Sequence, residues 1–262
     1  MNESLIKIKS GNVSYYIDKT YVSYRDFVCT VPRRFAEGDG EVLHAGRNEL
    51  RLFNVGRRKF VAKRYKRVGM LQRVVYSLFR RTKAHRAFDY ARVFRARGID
   101  TPHEVAYIEQ REHGWFTTGY FICEDSPYPS AFHALEEAPE PDRSLIDALV
   151  AFVLTMHKRG ILHGDLNFGN FLCERLADGR VNFAMVDINR SHFCKGMPSK
   201  NECIDNLTTV THRRDLYDYI VRRYAHLRGW NEDEASARAF RNLDRMEERN
   251  RKKNIFKNRL KK

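Results

Sequence analysis

Strand-like and helix-like stretches occupy separate parts of this 262-residue chain, and that segregation limits the fold more than any other feature. Short segments at 41–43, 49–53 and 59–65 alternate apolar with polar residues. The turns His44-Ala45-Gly46-Arg47-Asn48 and Asn54-Val55-Gly56-Arg57-Arg58 separate them, which predicts a three-strand meander. A helix is expected over 83–97, where Ala84, Ala87, Phe88, Ala91 and Phe94 recur at helical spacing and Gly98 follows as a stop. The first third thus reads as strands, and two further strands are expected at 105–108 and 116–123. Four prolines within the fifteen residues 127–141 suit a connection between lobes. Beyond residue 143 the periodicity turns helical, most clearly at 145–158, with short strands near 171–172 and 183–186. The expected fold class is α+β: a β-rich lobe over 1–125, a helical lobe over 126–248 and a basic tail over 249–262.

With 42% hydrophobic and 12% aromatic residues the chain can build a core, which excludes a wholly disordered protein. The longest apolar run, 148–156, is too short to cross a bilayer, and the first residues lack the features of a secretory signal. Five cysteines, Cys29, Cys123, Cys173, Cys194 and Cys203, form no C-x-x-C pair, so reduced thiols and a cytoplasmic location are expected.

The net charge of +15 is concentrated. Residues 57–97 hold fifteen Lys and Arg against the single acid Asp89, and 249–262 hold eight against none, leaving 25 basic and 32 acidic residues elsewhere. Such segments attract a polyanion: phospholipid headgroups, nucleic acid or a phosphorylated substrate. Leu71, Val74, Val75, Leu78 and Phe79 interleave the first segment in the manner of an interfacial amphipathic stretch. Solvated helix faces and a frayed tail are the plainer alternative.

The sharpest motif is His163-Gly164-Asp165-Leu166-Asn167-Phe168-Gly169-Asn170, which has the spacing H-x-D-L-x-x-x-N. In kinase catalytic loops an Asp so placed accepts the attacking hydroxyl's proton and the Asn holds magnesium. A loop in which Asp165 only caps backbone amides has the same composition. Asp187 closes an apolar strand 22 residues after Asp165, where a second metal-binding carboxylate is expected. Asp187-Ile188-Asn189 replaces Asp-Phe-Gly, and a strand-end Asp is also a common turn former. Val61-Ala62-Lys63 matches the strand that carries a phosphate-reaching lysine. Between Lys63 and Asp100 the only acid is Asp89, which is either that lysine's partner or a neutraliser of neighbouring arginines. Gly46, between the first two strands of the meander, lies where a phosphate-covering loop is expected, and an ordinary hairpin turn fits the same residues.

Taken in order, Gly46-Arg47-Asn48, Val61-Ala62-Lys63, Lys83-Ala84 leading to Phe88-Asp89-Tyr90-Ala91, Gly98-Ile99-Asp100-Thr101-Pro102 and the His163–Asn170 loop resemble the lipopolysaccharide kinase (Kdo/WaaP) family. The resemblance spans about 35–230 and takes in Tyr224-Ala225-His226-Leu227-Arg228-Gly229-Trp230. It implies a bilobal protein-kinase-like fold that uses ATP and magnesium to phosphorylate a Kdo or heptose sugar of the lipopolysaccharide inner core. By it, Asp165 is the base, Asn170 and Asp187 bind magnesium, and Lys63 and Asp89 form the nucleotide-positioning pair. A lipid-linked acceptor implies peripheral docking on the cytoplasmic face of the inner membrane through the basic segments.

Aminoglycoside- and choline-kinase-like phosphotransferases carry a similar loop and are the alternative enzyme class, although a cationic substrate fits poorly with this charge. No A-P-E segment follows Asp187, which argues against a protein kinase. An inactive kinase-like binding protein would not need Lys63, Asp165, Asn170 and Asp187 together, and no nucleic-acid motif accompanies the basic stretch.

Overall fold

The computed structural model describes residues 4–65, 67, 69, 73, 75–77 and 80–259. Leu71, Val74, Leu78 and Phe79 of the interleaved basic stretch, and residues 260–262 of the tail, lie outside the described residues. The chain divides into two compact units, Met1–Pro127 and Tyr128–Lys262.

Two-residue alternation builds the first unit around a seven-stranded antiparallel sheet. Its strands are β1 (Leu5–Ser10), β2 (Val13–Asp18), β3 (Glu41–Ala45), β4 (Glu49–Val55), β5 (Arg58–Arg64), β6 (Glu104–Glu112) and β7 (Trp115–Glu124). Their order across the sheet is β1-β2-β6-β7-β5-β4-β3, so the predicted meander forms one edge. The expectation that the first third is strand alone needs correction, because helix α1 (Arg25–Glu37) follows the β1–β2 hairpin. Phe27, Val28, Val31 and Phe35 form a buried stripe at helical spacing on α1, packed on Tyr15, Phe53, Phe60, Ala62, Ile108 and Ile122. Burying each large apolar side chain contributes about 1.5–3 kcal/mol, which outweighs the break that Pro32 signals inside the helix.

On the opposite sheet face, helix α2 (Lys83–Ala96) lays Ala84 and Phe88 on Tyr107. The Thr82 hydroxyl caps α2 by accepting from the His85 N–H (3.2 Å) and donates to the buried Glu109 carboxylate (2.8 Å). Arg92 and Arg95 both pair with buried Glu104 at the start of β6. Arg58, Arg64, Arg67 and Arg81 also form ion pairs within this unit, so at least six of the fifteen basic side chains in 57–97 serve it internally.

In the second unit the proline-rich stretch holds one wide turn, His133–Glu137, before α3 (Arg143–Lys158). Two two-stranded sheets follow, β9 (Phe171–Arg175) with β10 (Val181–Met185) and β8 (Ile161–Leu162) with β11 (His192–Phe193). Helices α4 (Lys200–Leu207), α5 (Arg214–Leu227) and α6 (Glu232–Arg259) complete it. The basic run from 249 to 259 continues α6 and is not a separate tail. Among the described residues no helix is long and apolar enough to cross a membrane.

Candidate active site

Strand pairing brings two loops together. Loop 163–170 joins β8 to β9 and loop 186–191 joins β10 to β11, so each loop runs between the two small sheets, with one end held by each. The loops are stitched directly. The His163 Nε2–H donates to the Val186 carbonyl (3.0 Å), the Val186 N–H to the Asn170 carbonyl (3.0 Å), and the Ser191 hydroxyl to the His163 carbonyl (3.2 Å). Burial holds the His163 imidazole below its ordinary pKa range. Gly164 adopts φ +75°, and a Cβ there would lie 2.6 Å from the Arg190 carbonyl oxygen, so no side chain fits between the loops.

This frame fixes the polar residues. Asp165 Oδ1 accepts from Asn167 Nδ2 (3.1 Å), and Arg190 Nη1 lies 3.4 Å from Asp165 Oδ2. Asn170 Nδ2 donates to the Asp165 backbone carbonyl (2.9 Å), which leaves the amide oxygen of Asn170 as its acceptor end. Asp187 adopts a left-handed conformation (φ 55°, ψ 38°), uncommon outside glycine and tolerated best by Asp and Asn, and accepts from Asn189 Nδ2. The loop pairing thus brings Asp165, Asn170 and Asp187 into one frame. Among the described residues no cluster of three or more His, Cys, Asp or Glu surrounds them. Two hard oxygen donors, the Asn170 amide and the Asp187 carboxylate, suit magnesium, which typically takes one or two protein oxygens and completes its shell with phosphate and water.

Behind the loop stand residues that the motif does not reveal. Asn206 on α4 accepts both from the His163 backbone N–H (3.3 Å) and from His157 Nε2–H (3.1 Å), while His157 Nδ1 accepts from the Tyr224 hydroxyl (2.7 Å). Thr209 Oγ1 accepts from the Leu166 N–H (2.9 Å). These contacts support the loop from about forty residues away in sequence, so no local pattern signals them. Burial pushes the His157 pKa down to about 4. The unfolded chain therefore binds a proton that the folded chain refuses, and stability falls as pH drops from about 6.5 towards 4. Denaturant titrations at pH 7.5 and 5 are expected to show a loss of about 2 kcal/mol from this group. His157→Gln should flatten that dependence, and an unchanged slope would contradict it.

In the first unit Lys63 occupies a cross-strand row with Tyr16, Tyr107, Phe121 and Leu50, on the sheet face that α2 covers. Its ammonium lies 5.5 Å from the centroid of the Tyr65 ring. The expected Lys63–Asp89 pair is corrected here: among the described residues Asp89 pairs with Arg81 and with His85 Nε2 (3.3 Å). Both partners are local, His85 one turn away on α2 and Arg81 just before it, and the Asp side chain is one methylene shorter than the Glu of the kinase pattern. Gly46 sits at the β3–β4 hairpin tip with its N–H donated to the Asn48 carbonyl (3.2 Å). It borders a polar cavity of about 540 Å³ whose wall includes Arg64 and Tyr120, on the sheet face opposite Lys63.

Three comparisons bear on this arrangement. The pattern of the Lipopolysaccharide kinase (Kdo/WaaP) family matches residues 37–213. A solved structure of WaaP in complex with acyl carrier protein superposes with a TM-score of 0.56 at 17% identity, covering 88% of this chain and 98% of that one. The Rio2 kinase from Chaetomium thermophilum, in an ADP/Mg2+-phosphoaspartate complex, aligns with a TM-score of 0.46 at 15% identity over 93% of this chain and 82% of its own. Among curated proteins none matches. The family match spans most of the β-rich unit and the whole Asp165–Asp187 frame, and with it the chain belongs to the Lipopolysaccharide kinase (Kdo/WaaP) family and has a protein-kinase-like α+β fold.

Proposed function

We propose that this chain transfers the γ-phosphate of ATP, with magnesium, to a hydroxyl of a Kdo or heptose sugar in the lipopolysaccharide inner core. The observation that carries this reading is the division of labour in loop 163–170. Asn170 commits its nitrogen to the Asp165 backbone and keeps its oxygen for a cation, while the Asp165 carboxylate is held by Asn167 for a different task. Asp165 accepts the proton of the attacking hydroxyl and orients it. Asn170 and Asp187 hold magnesium, which when bound neutralises charge on the phosphate oxygens. Lys63 contacts the nucleotide phosphates, and Gly46 with Arg47 covers them from the hairpin tip. Asp89 contributes at one remove, by fixing the start of α2 through Arg81 and His85.

The acceptor is lipid-linked, so the enzyme works at the cytoplasmic face of the inner membrane as a peripheral protein. Arg249, Arg251, Lys252 and Lys253 near the end of α6 are exposed and supply the electrostatic attraction, about 1 kcal/mol each near an anionic surface. The test is transfer of labelled phosphate from ATP to Kdo-containing lipid A precursor in anionic vesicles, with and without added heptose, by the full chain and by a chain ending at Glu248. Magnesium-dependent labelling is expected, with vesicle binding at least tenfold weaker for the truncated chain. Absence of labelling on both acceptors would remove the sugar-kinase reading, and equal vesicle binding would remove the role of α6.

A further inference from the structure

We infer that Arg190 is the acceptor-selecting residue of this site and that it selects a sugar bearing a carboxylate beside the attacked hydroxyl. The inference rests on the sugar-kinase reading for its enzyme assay but has a binding test of its own.

The backbone of Arg190 is held from two sides. Its carbonyl packs where a Gly164 side chain would be, and the next residue, Ser191, is tied to the Ile188 and His163 carbonyls. A fixed backbone therefore delivers a long cationic side chain to Asp165, where Nη1 meets Oδ2 at 3.4 Å. The guanidinium is otherwise open: its side chain is 61% exposed, and among the described residues its recorded polar partner is Asp165 alone. One of five N–H donors is engaged, by a long and weak contact.

An exposed ion pair of this length adds little to stability, so the fold does not explain why an arginine stands there. The placement makes sense for an anionic acceptor. A carboxylate on the sugar must approach the Asp165 carboxylate and a transferring phosphate, and both repel it. A guanidinium touching Asp165 offsets that repulsion and offers a planar fork matching the carboxylate in a two-pronged contact. Arg190 is thus a binding residue, whereas Asp165 remains the group that moves the proton.

Matched acceptors separate these roles: Kdo-containing lipid A precursor with its carboxylate free, and the same molecule as its neutral methyl ester. For the native chain kcat/KM should favour the acid by at least tenfold. Arg190→Gln should lower kcat/KM on the acid by 10- to 100-fold, mainly through KM, change the ester by less than threefold, and leave KM for ATP unaltered. Arg190→Lys should restore part of the loss. An equal loss on acid and ester, or a rise in KM for ATP, would overturn the inference by placing Arg190 on the base or the nucleotide. Equilibrium binding of the two acceptors, followed without ATP, decides the matter even if neither is phosphorylated. An acid preference in the native chain that disappears in Arg190→Gln supports the assignment while the sugar-kinase reading fails, and no preference in the native chain overturns the assignment itself.

Discussion

Asp165→Asn is expected to reduce phosphoryl transfer by roughly 10³-fold while leaving the fold in place, the scale set by loss of a positioned general base. The new amide is nearly isosteric. Its oxygen can still accept from Asn167 Nδ2, which now lies 3.1 Å from Asp165 Oδ1, so the loop keeps that internal bond. The amide nitrogen would face Arg190, but that guanidinium is exposed and can turn to solvent, so the stability change should stay below about 1 kcal/mol. ATP affinity should hold within a few-fold, because Asn170 and Asp187 are untouched. Steady-state rates on the lipid acceptor together with a thermal melt check both halves. A variant that retains more than a tenth of native turnover would show that Asp165 is not the base.

Gly164→Ala should damage stability and catalysis together, and for one geometric reason. At φ +75° an alanine incurs left-handed strain of about 1–2 kcal/mol. Its Cβ would also lie 2.6 Å from the Arg190 carbonyl oxygen, a backbone atom that cannot swing aside. The loops must separate, which strains the bonds from His163 to Val186 and from Ser191 to His163. A total loss of about 2–4 kcal/mol is expected in denaturant unfolding. Residual activity, measured where the variant is fully folded, should fall about 100-fold, since a displacement of about 1 Å at Asp165 costs that much. An unchanged unfolding midpoint would mean that the loops are not packed as tightly as the geometry requires.

Legibility followed the range of the interactions. The meander at β3–β5, the helix α2 with Gly98 beyond it and the helix α3 were readable because apolar period, cap and stop all lie within a dozen residues. The motif of loop 163–170 was readable because an Asp and an Asn five residues apart, after a His and a Gly, form a pattern of adjacent positions. Helix α1 was not, since Pro32 and its arginines mask the stripe Phe27, Val28, Val31 and Phe35 until the sheet is there to cover it. The contacts of Asp89 follow the opposite logic. A template pairs the acid with a distant lysine, whereas in this chain the neighbours Arg81 and His85 reach it first.

The sequence by itself determined the α+β class, the family, and the identity and spacing of Asp165, Asn170 and Asp187, because residue type and periodicity are properties of adjacent positions. Tertiary structure alone decided the strand order of the seven-stranded sheet and the long α6 that absorbs the basic run. It likewise decided the support of the loop by Asn206 and Thr209, and the placement of Arg190 against Asp165. Each of these depends on groups separated by tens of residues, whose meeting is set by core packing and strand pairing and leaves no trace in local pattern.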